Sequence, residues 1–448
     1  MNKNLKFFGT DGIRGRYEGK IINNSFAYSL GKAVASHYQK NGHFNKPILL
    51  ARDTRPSGLK LMQYLISGIS ELGMEVINIG VIPTPVLAYS ASITNCCCAV
   101  MITASHNPHS DNGFKIIASE GSKLSVGEEQ SIESFFEICT NCNLNLKIHD
   151  LPSISRDFVS KYTFNLSTKF AKNFLKGTRL VVDLSNGASF SLTPEILRSF
   201  GDEVFEINNG DGMINHQCGS EFVQRLQEEI KTQKAHLGFA HDGDGDRVIF
   251  VDENGTEVGG DQILGILTIE NHQAKSLKGD GLVATIHSNS GLSETLERND
   301  LSLHRADVGD RNVYLEMKKL GCNWGGESSG HIICTDYLNT GDGLFAALSV
   351  LKCFINSKFE NFSKLCEQVK LWPSKSGAFE VKQKTPIENL AGLQDCLQEI
   401  NATLGENGRT LVRYSGTETK LRILVEAKNK KLVNETYAKI SETVRKIY

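Results

Sequence analysis

Three times along the chain a short run of buried-type residues stops at small polar residues, and a stretch with helical spacing follows. Pro47–Ala51 (PILLA) runs into Asp53-Thr54-Arg55-Pro56-Ser57-Gly58, Arg179–Asp183 (RLVVD) into Ser185-Asn186-Gly187, and Gly281–Ile286 (GLVATI) into Ser288-Asn289-Ser290-Gly291. A strand, a turn and a crossover helix make the βαβ pattern, which predicts α/β sheets with mainly parallel strands, in three related units. Within the first unit, Leu59–Leu72 has helical spacing, Met74–Ile79 reads as a strand, and Ala99–Ile102 is a short buried strand entering a polar loop.

A chain of 448 residues has room for roughly three or four domains. The expected divisions are 1–151, 152–254, 255–371 and 372–448, placed at His149-Asp150-Leu151-Pro152, at the hinge-like stretch Asp252–Gly260 (DENGTEVGG), and at Leu371–Gly377. The last segment has a different texture. It ends in an expected helix whose stripe, Val433, Tyr437, Ile440, Val444 and Ile447, packs on its own sheet.

A net charge of −2 argues against a basic nucleic-acid glove or a polybasic membrane binder. No apolar window approaches about 18 residues, and no apolar run follows Met1–Lys6, so neither a membrane helix nor a secretory signal is expected and the location reads as cytoplasmic. The eleven cysteines, including the run Cys96-Cys97-Cys98, read mostly as small buried hydrophobes. Cys139 and Cys142 form a lone CxxC pair without the second pair a zinc site needs.

Four segments carry chemistry. In Asp242-Gly243-Asp244-Gly245-Asp246-Arg247, three carboxylates alternate with glycines that let the backbone curl. A close pair of like charges costs about 4 kcal/mol at 4 Å and an effective dielectric of 20, so the cluster asks for a hard cation, Mg²⁺ or Ca²⁺. Glu253 stands at loop position 12 of an EF-hand count, but Arg247 occupies the position that needs Gly and Val248–Val251 reads as a strand, which excludes that motif. The alternative is a polar hairpin turn of solvated aspartates.

In Thr103-Ala104-Ser105-His106-Asn107-Pro108, a strand delivers Ser105 into an open loop, making it a candidate nucleophile with His106 and Lys115 nearby. An extended Ser-His dipeptide points its side chains apart, so Ser105 and His106 are not expected to pair, and a polar capping loop is the competing interpretation. Gly325-Gly326-Glu327-Ser328-Ser329-Gly330-His331 offers a carboxylate and hydroxyls to a sugar, or is a flexible turn. Arg413-Tyr414-Ser415-Gly416-Thr417-Glu418-Thr419, with Arg422 beyond and strands expected at Thr410–Val412 and Ile423–Val425, forms a phosphate cradle without a P-loop motif. A metal, a serine, a polyol site and a phosphate site are together what phosphoryl transfer to a sugar requires.

These motifs, in this order, resemble the α-D-phosphohexomutase superfamily. Phe8–Gly15 (FGTDGIRG) and Val308-Gly309-Asp310-Arg311 are similar to its bacterial phosphoglucosamine mutase branch, and the resemblance runs from Phe8 to about Glu426. It implies four domains in a heart shape around one cleft, three related α/β domains and a smaller C-terminal α+β domain. It implies an isomerase with a phosphoserine at Ser105 and one Mg²⁺ per subunit on Asp242, Asp244, Asp246 and the Ser105 phosphate. Arg247 would lie against the phosphoserine. Glu327 and Ser329, with Val308 and Gly309, would contact the sugar. Arg413, Ser415, Gly416, Thr417 and Arg422 would bind the distal phosphate.

By the same resemblance Arg14, Lys115 and His331 would be catalytic charges at the reacting oxygens, His331 being favoured for the proton because its ordinary pKa suits neutral pH. The implied substrate is a phosphorylated amino sugar, glucosamine 6-phosphate, converted through a hexose 1,6-bisphosphate that also activates the enzyme, on the route to UDP-N-acetylglucosamine. The implied assembly is a monomer or homodimer without nucleic-acid or membrane partners. The cleft must close to exclude water, with a hinge expected near Pro373–Gly377. The chain departs from the family pattern at Tyr414 and Thr419, at His287 where the branch commonly has Met, and at Ser328 where Gln is common. The alternatives are the same chemistry on glucose or mannose, and a non-catalytic sugar-phosphate sensor.

Overall fold

The computed structural model describes residues 5–136, 149–201, 203–415 and 419–448. The Cys139/Cys142 pair lies outside them, as do Gly416 and Thr417 of the phosphate cradle.

The first sheet contains β1 (Ile13–Arg16), β2 (Ile48–Arg52), β3 (Val76–Val81), β4 (Cys98–Ile102) and β5 (Asp111–Ala118), ordered β1-β5-β4-β2-β3. The second contains β6 (Arg179–Asp183), β7 (Glu203–Ile207), β8 (Leu237–His241), β9 (Val248–Asp252) and β10 (Glu257–Val258), ordered β10-β9-β8-β6-β7. The third contains β11 (Gly281–Thr285), β12 (Ser302–Ala306), β13 (Trp324–Gly326) and β14 (Ile332–Cys334), ordered β12-β11-β13-β14.

Each of the three repeats one plan. Its first strand (β2, β6 or β11) lies between two parallel neighbours, and a fourth strand (β5, β9 or β14) adds on antiparallel. The expected repeat is therefore present, but the sheets are mixed rather than mainly parallel. A parallel neighbour needs a helical crossover, whereas the short links β4–β5, β8–β9 and β13–β14 can only reverse the chain.

The last unit is different. β15 (Ser374–Glu380), β16 (Gly408–Tyr414) and β17 (Lys420–Ala427) form an antiparallel sheet, covered by the helices Ala391–Leu404 and Lys430–Ile447. In the final helix Val433, Ile440 and Val444 are buried and Tyr437 is half-buried, but Ile447 is 36% exposed, so the apolar stripe ends one turn earlier than its spacing predicts.

Packing separates the last unit from the rest. One apolar core runs through the first three units, from Leu49 through Leu180 and Phe239 to Leu282 and Leu348, while Leu393, Ile423, Val425 and Ile440 form a core of their own. Shortening a buried Leu in either core to Ala would cost about 2–5 kcal/mol. The nine described cysteines are free and, apart from the half-buried Cys353, buried. No helix among the described residues is long and apolar enough to cross a membrane.

The links between units are ordered. The expected hinge Asp252–Gly260 is a hairpin, in which the Asp252 carboxylate accepts the amides of Asn254 and Thr256. The expected hinge Pro373–Gly377 lies largely within β15. Trp372 is tied to the third unit through Asn289 and Glu294, and the Pro373 carbonyl accepts the Ala427 amide at 3.1 Å.

Candidate active site

The loop between the third and fourth strands is the same place in each repeat. In the first sheet it carries Ser105, in the second Asp242, Asp244 and Asp246, and in the third Glu327, Ser329 and His331. Three copies of one reversal thus carry the three motifs singled out in the first three units.

Ser105 is fully buried, with a left-handed backbone (φ 53°). For a residue with a Cβ this conformation costs about 1–2 kcal/mol, so the surroundings must impose it. Arg55, itself fully buried and paired with Asp53, donates to the carbonyls of Ser105, Asn107, Pro108 and Asp111. From the second unit Asn215 Nδ2 donates to the carbonyls of Ser105 (2.6 Å) and Asn107 (2.9 Å). Ser105 Oγ then donates to Asp242 Oδ2 at 2.6 Å. It also lies 3.2 Å from His106 Nδ1, contrary to the expectation that the two side chains diverge, because that expectation assumed an extended backbone.

Asp242, Asp244 and Asp246 are buried, and one oxygen from each lies within 4.8 Å of the others. Gly243 makes the approach possible: a Cβ there would stand 2.7 Å from the Ser105 carbonyl. Burial, then Asp246 and Asp244, pushes the Asp242 carboxyl up to about 8. Burial also opposes ionisation of Asp246, but Lys115, His331 and Arg247 hold it well below the usual range. Lys115 Nζ sits 2.7 Å from Asp244 and 2.5 Å from Asp246. Asp244 Oδ1 and Asp246 Oδ1 are buried without a hydrogen-bond partner. An all-oxygen set with orphaned lone pairs fits a hard divalent cation.

Around this trio runs a continuous ionic chain. Arg14, its pKa lowered chiefly by burial, pairs with Asp11; Asp11 and Asp310 share Lys123; and Asp310 Oδ2 lies 3.2 Å from His331 Nε2. Burial alone would lower the His331 pKa, but Asp246 and Asp310 together raise it. These carboxylates favour the charged ring, while the Gly341 amide donates to Nε2 at 3.1 Å, a bond that only an unprotonated Nε2 accepts. Lys115 is raised by Asp244 and Asp246 against the burial that would lower it. Arg247 is raised in the same way by Asp242 and Asp246, and its Nε lacks a partner.

In the third unit, Gly325 and Gly326 lie in β13 rather than in a flexible turn, and a Cβ on Gly326 would meet the His331 carbonyl at 2.4 Å. Glu327 Oε1 accepts the Gly309 amide at 3.1 Å, which joins the Glu327 loop to Val308-Gly309. Ser329 is half-buried and Ser328 exposed.

Arg413 and Arg422 do not join the serine cluster. They stand directly opposite each other on β16 and β17, so both project from one face. Like charges placed this way repel, which suits an anion. Arg413 Nε donates to His287 Nε2 at 2.8 Å, and the buried Ser415 closes the loop base through its amide on the Lys420 carbonyl. The departure at Tyr414 is matched by a partner, since its hydroxyl lies 2.6 Å from that of Tyr448.

Sequence reasoning missed Asp11, Arg55, Lys123, Asn215 and Asp310. Asp11 and Asp310 stood inside quoted motifs, and Arg55 stood in a turn already noted; Lys123 and Asn215 carried no local signal.

Four family models, for phosphoglucomutase/phosphomannomutase domains I, II, III and the C-terminal domain, match residues 5–141, 156–255, 259–371 and 378–443. Among curated relatives, a phosphoglucosamine mutase of Aliarcobacter butzleri is 39% identical over 96% of this chain and 97% of its own. One of Helicobacter pylori is 38% identical over 98% of both chains. Among solved structures, a putative phosphomannomutase from Thermus thermophilus superposes with a TM-score of 0.80 at 20% identity, covering 99% of this chain and 100% of that one. The Aspergillus fumigatus N-acetylphosphoglucosamine mutase, in complex with GlcNAc-6P and magnesium, superposes with a TM-score of 0.64 at 18% identity, covering 89% and 82%. At these identities the structures speak for the fold alone.

Proposed function

The chain belongs to the phosphoglucomutase/phosphomannomutase family, and from that membership we propose that it interconverts glucosamine 6-phosphate and glucosamine 1-phosphate through a phosphorylated Ser105. The observation that carries this reading is the bond from Ser105 Oγ to Asp242 Oδ2, which sets a buried hydroxyl of one unit against the carboxylate trio of the next. The phosphoglucosamine mutase relatives over nearly the whole chain support the amino sugar as substrate.

Asp242, Asp244, Asp246 and the Ser105 phosphate would hold Mg²⁺, which when bound supplies charge neutralisation for the phosphoryl group. The substrate's phosphate docks on Arg413, Ser415, Gly416, Thr417 and Arg422, while Glu327 and Ser329, with Val308 and Gly309 behind them, orient the sugar hydroxyls. The O1 hydroxyl of glucosamine 6-phosphate attacks the phosphorus on Ser105. The O1–P bond forms as the Oγ–P bond breaks; the neutral form of His331 or Lys115 takes the O1 proton and passes it to the departing Oγ. The resulting 1,6-bisphosphate turns end for end. Ser105 Oγ then attacks the phosphorus on O6 and returns its proton to that group; the Oγ–P bond forms as the O6–P bond breaks, O6 takes the proton, and glucosamine 1-phosphate leaves. Arg14 and Arg247 face the group in transit, as guanidinium forks suit phosphoryl oxygens.

Incubation with hexose 1,6-bisphosphate labelled in its phosphates tests the covalent step. Acid-stable label is expected on Ser105 and is lost in Ser105→Ala. An enzyme that turns over without labelling that serine would refute the proposal.

A further inference from the structure

We infer that His287 is the positioning residue that aims Arg413 at the phosphate that does not react in each half of the reaction. The inference rests on the mutase reading and adds to it a residue from the third unit. Its geometry begins with the backbone. Arg409 Nη1 donates to the Ile286 carbonyl (3.0 Å) and Nη2 to the Ser288 carbonyl (2.6 Å), which also receives Arg305 Nη1 (2.6 Å). The buried Glu426 carboxylate, on β17, takes the Ser290 amide (3.1 Å), the Ser290 hydroxyl (2.9 Å) and Arg409 Nε (2.8 Å). Both sides of His287 are therefore pinned to the last unit, and its ring cannot drift along the β16–β17 face.

The ring engages one donor on Arg413, the Nε–H, at 2.8 Å. A guanidinium has one Nε–H and four Nη–H groups in a fixed plane. Binding the Nε–H orients that plane; Nη1 also reaches the Tyr414 carbonyl at 3.5 Å, a long contact that a phosphate gripped by the Nη end can displace. Accepting at Nε2 also fixes the tautomer, with the ring proton on Nδ1. The acceptor has a reason to exist. Arg413 stands directly across from Arg422, and like charges placed this way repel. A neutral imidazole holds it in place without adding the fixed charge a carboxylate would bring, which would repel phosphate.

The ring must be neutral for this, and its surroundings keep it so. Burial first, then Arg413, Arg409 and Arg422, pull the His287 pKa down to about 4 against the opposing effect of Glu426. The Nε2 lone pair is thus available throughout the neutral range.

The test uses the full-length protein with glucosamine 6-phosphate as probe. Binding is measured by calorimetry in a Ser105→Ala background and turnover in the active background. His287→Leu is expected to weaken binding and raise KM about tenfold with kcat within about twofold, the pattern for an interaction made equally in ground and transition states. His287→Gln, whose side-chain oxygen can accept the same N–H, is expected to recover most of the loss. The wild-type to Leu ratio is expected to be constant from about pH 6 to 8, a window well above the titration of the ring. An unchanged KM in His287→Leu, or a Gln variant no better than Leu, would overturn the inference. Should His287→Leu fail to fold, His287→Met, of similar volume and weak acceptor strength, is read against Gln in the same way. A Ser105→Ala protein that binds no phosphosugar would instead overturn the mutase reading.

Discussion

Ser105 shows how much of the site is decided by single backbone torsions. Its left-handed turn brings Oγ to both Asp242 and His106, and the carbonyls of Ser105 and Asn107 are held by Arg55 and Asn215. Ser105→Ala should abolish turnover while leaving the thermal unfolding midpoint nearly unchanged, because the clamp acts on carbonyls that alanine keeps. Residual mutase activity in the purified variant would contradict the nucleophile assignment. A second residue contributes to the acid sensitivity of the fold. His241 is buried between the Thr193 hydroxyl and the Arg247 carbonyl, and burial pulls its pKa down to about 4. An unfolded histidine titrates near 6.5, so as pH falls the unfolded chain takes up a proton that the folded one refuses. The stability held above about pH 6.5 is therefore lost on the way down to about 4, by roughly 3 kcal/mol in all. Denaturant unfolding of wild type and His241→Gln across that window should show a shallower slope in the variant; parallel slopes would refute it.

At the scale of elements, the loops after β4, β8 and β13 carry the candidate site, and they show what could be read in advance. The strand Arg179–Asp183 was legible to the residue, because an uninterrupted buried run met turn residues at once. Pro47–Ala51 was legible to within one position of β2. The direction of the fourth strands was not, since it depends on how short reversals fold back. Nor was the strand at Gly325-Gly326, where Gly325 packs on the Met317 side chain and Gly326 on the His331 carbonyl just before β14. The Lys123–Asp310 pair joins residues 187 positions apart, a distance over which no local pattern reports. The serine and the aspartates were legible because their chemistry is concentrated within a few residues.

Two predictions belong to these elements. The raised pKa of Asp242 means that without a cation the folded loop holds a proton the unfolded chain gives up, so stability falls as pH rises from about 4 towards 8. Mg²⁺ should therefore raise the unfolding midpoint more at pH 8 than at pH 5, with about 2.7 kcal/mol available at a hundredfold excess over Kd. The gain should shrink in Asp244→Asn, and an equal gain in that variant would refute the cation site. On β16, Arg413→Ala should raise KM for phosphosugars about 10- to 100-fold with little change in kcat, the size expected from losing about 1.5–3 kcal/mol of charged hydrogen bonding. Steady-state kinetics would settle it, and an unaltered KM would refute the cradle.

At the scale of the molecule, three repeats share a core and the fourth unit has its own, joined by the Trp372–Ser374 step and by the contacts of Arg409 and Glu426. The serine and carboxylates thus stand in the units that share a core, and the paired arginines in the unit that has its own. The central claim is the reaction itself. Its most direct test is turnover with Mg²⁺ and a trace of hexose 1,6-bisphosphate, comparing glucosamine 6-phosphate with glucose 6-phosphate and mannose 6-phosphate. The account predicts a strong preference in kcat/KM for the amino sugar. Equal or better turnover of glucose or mannose 6-phosphate would contradict it.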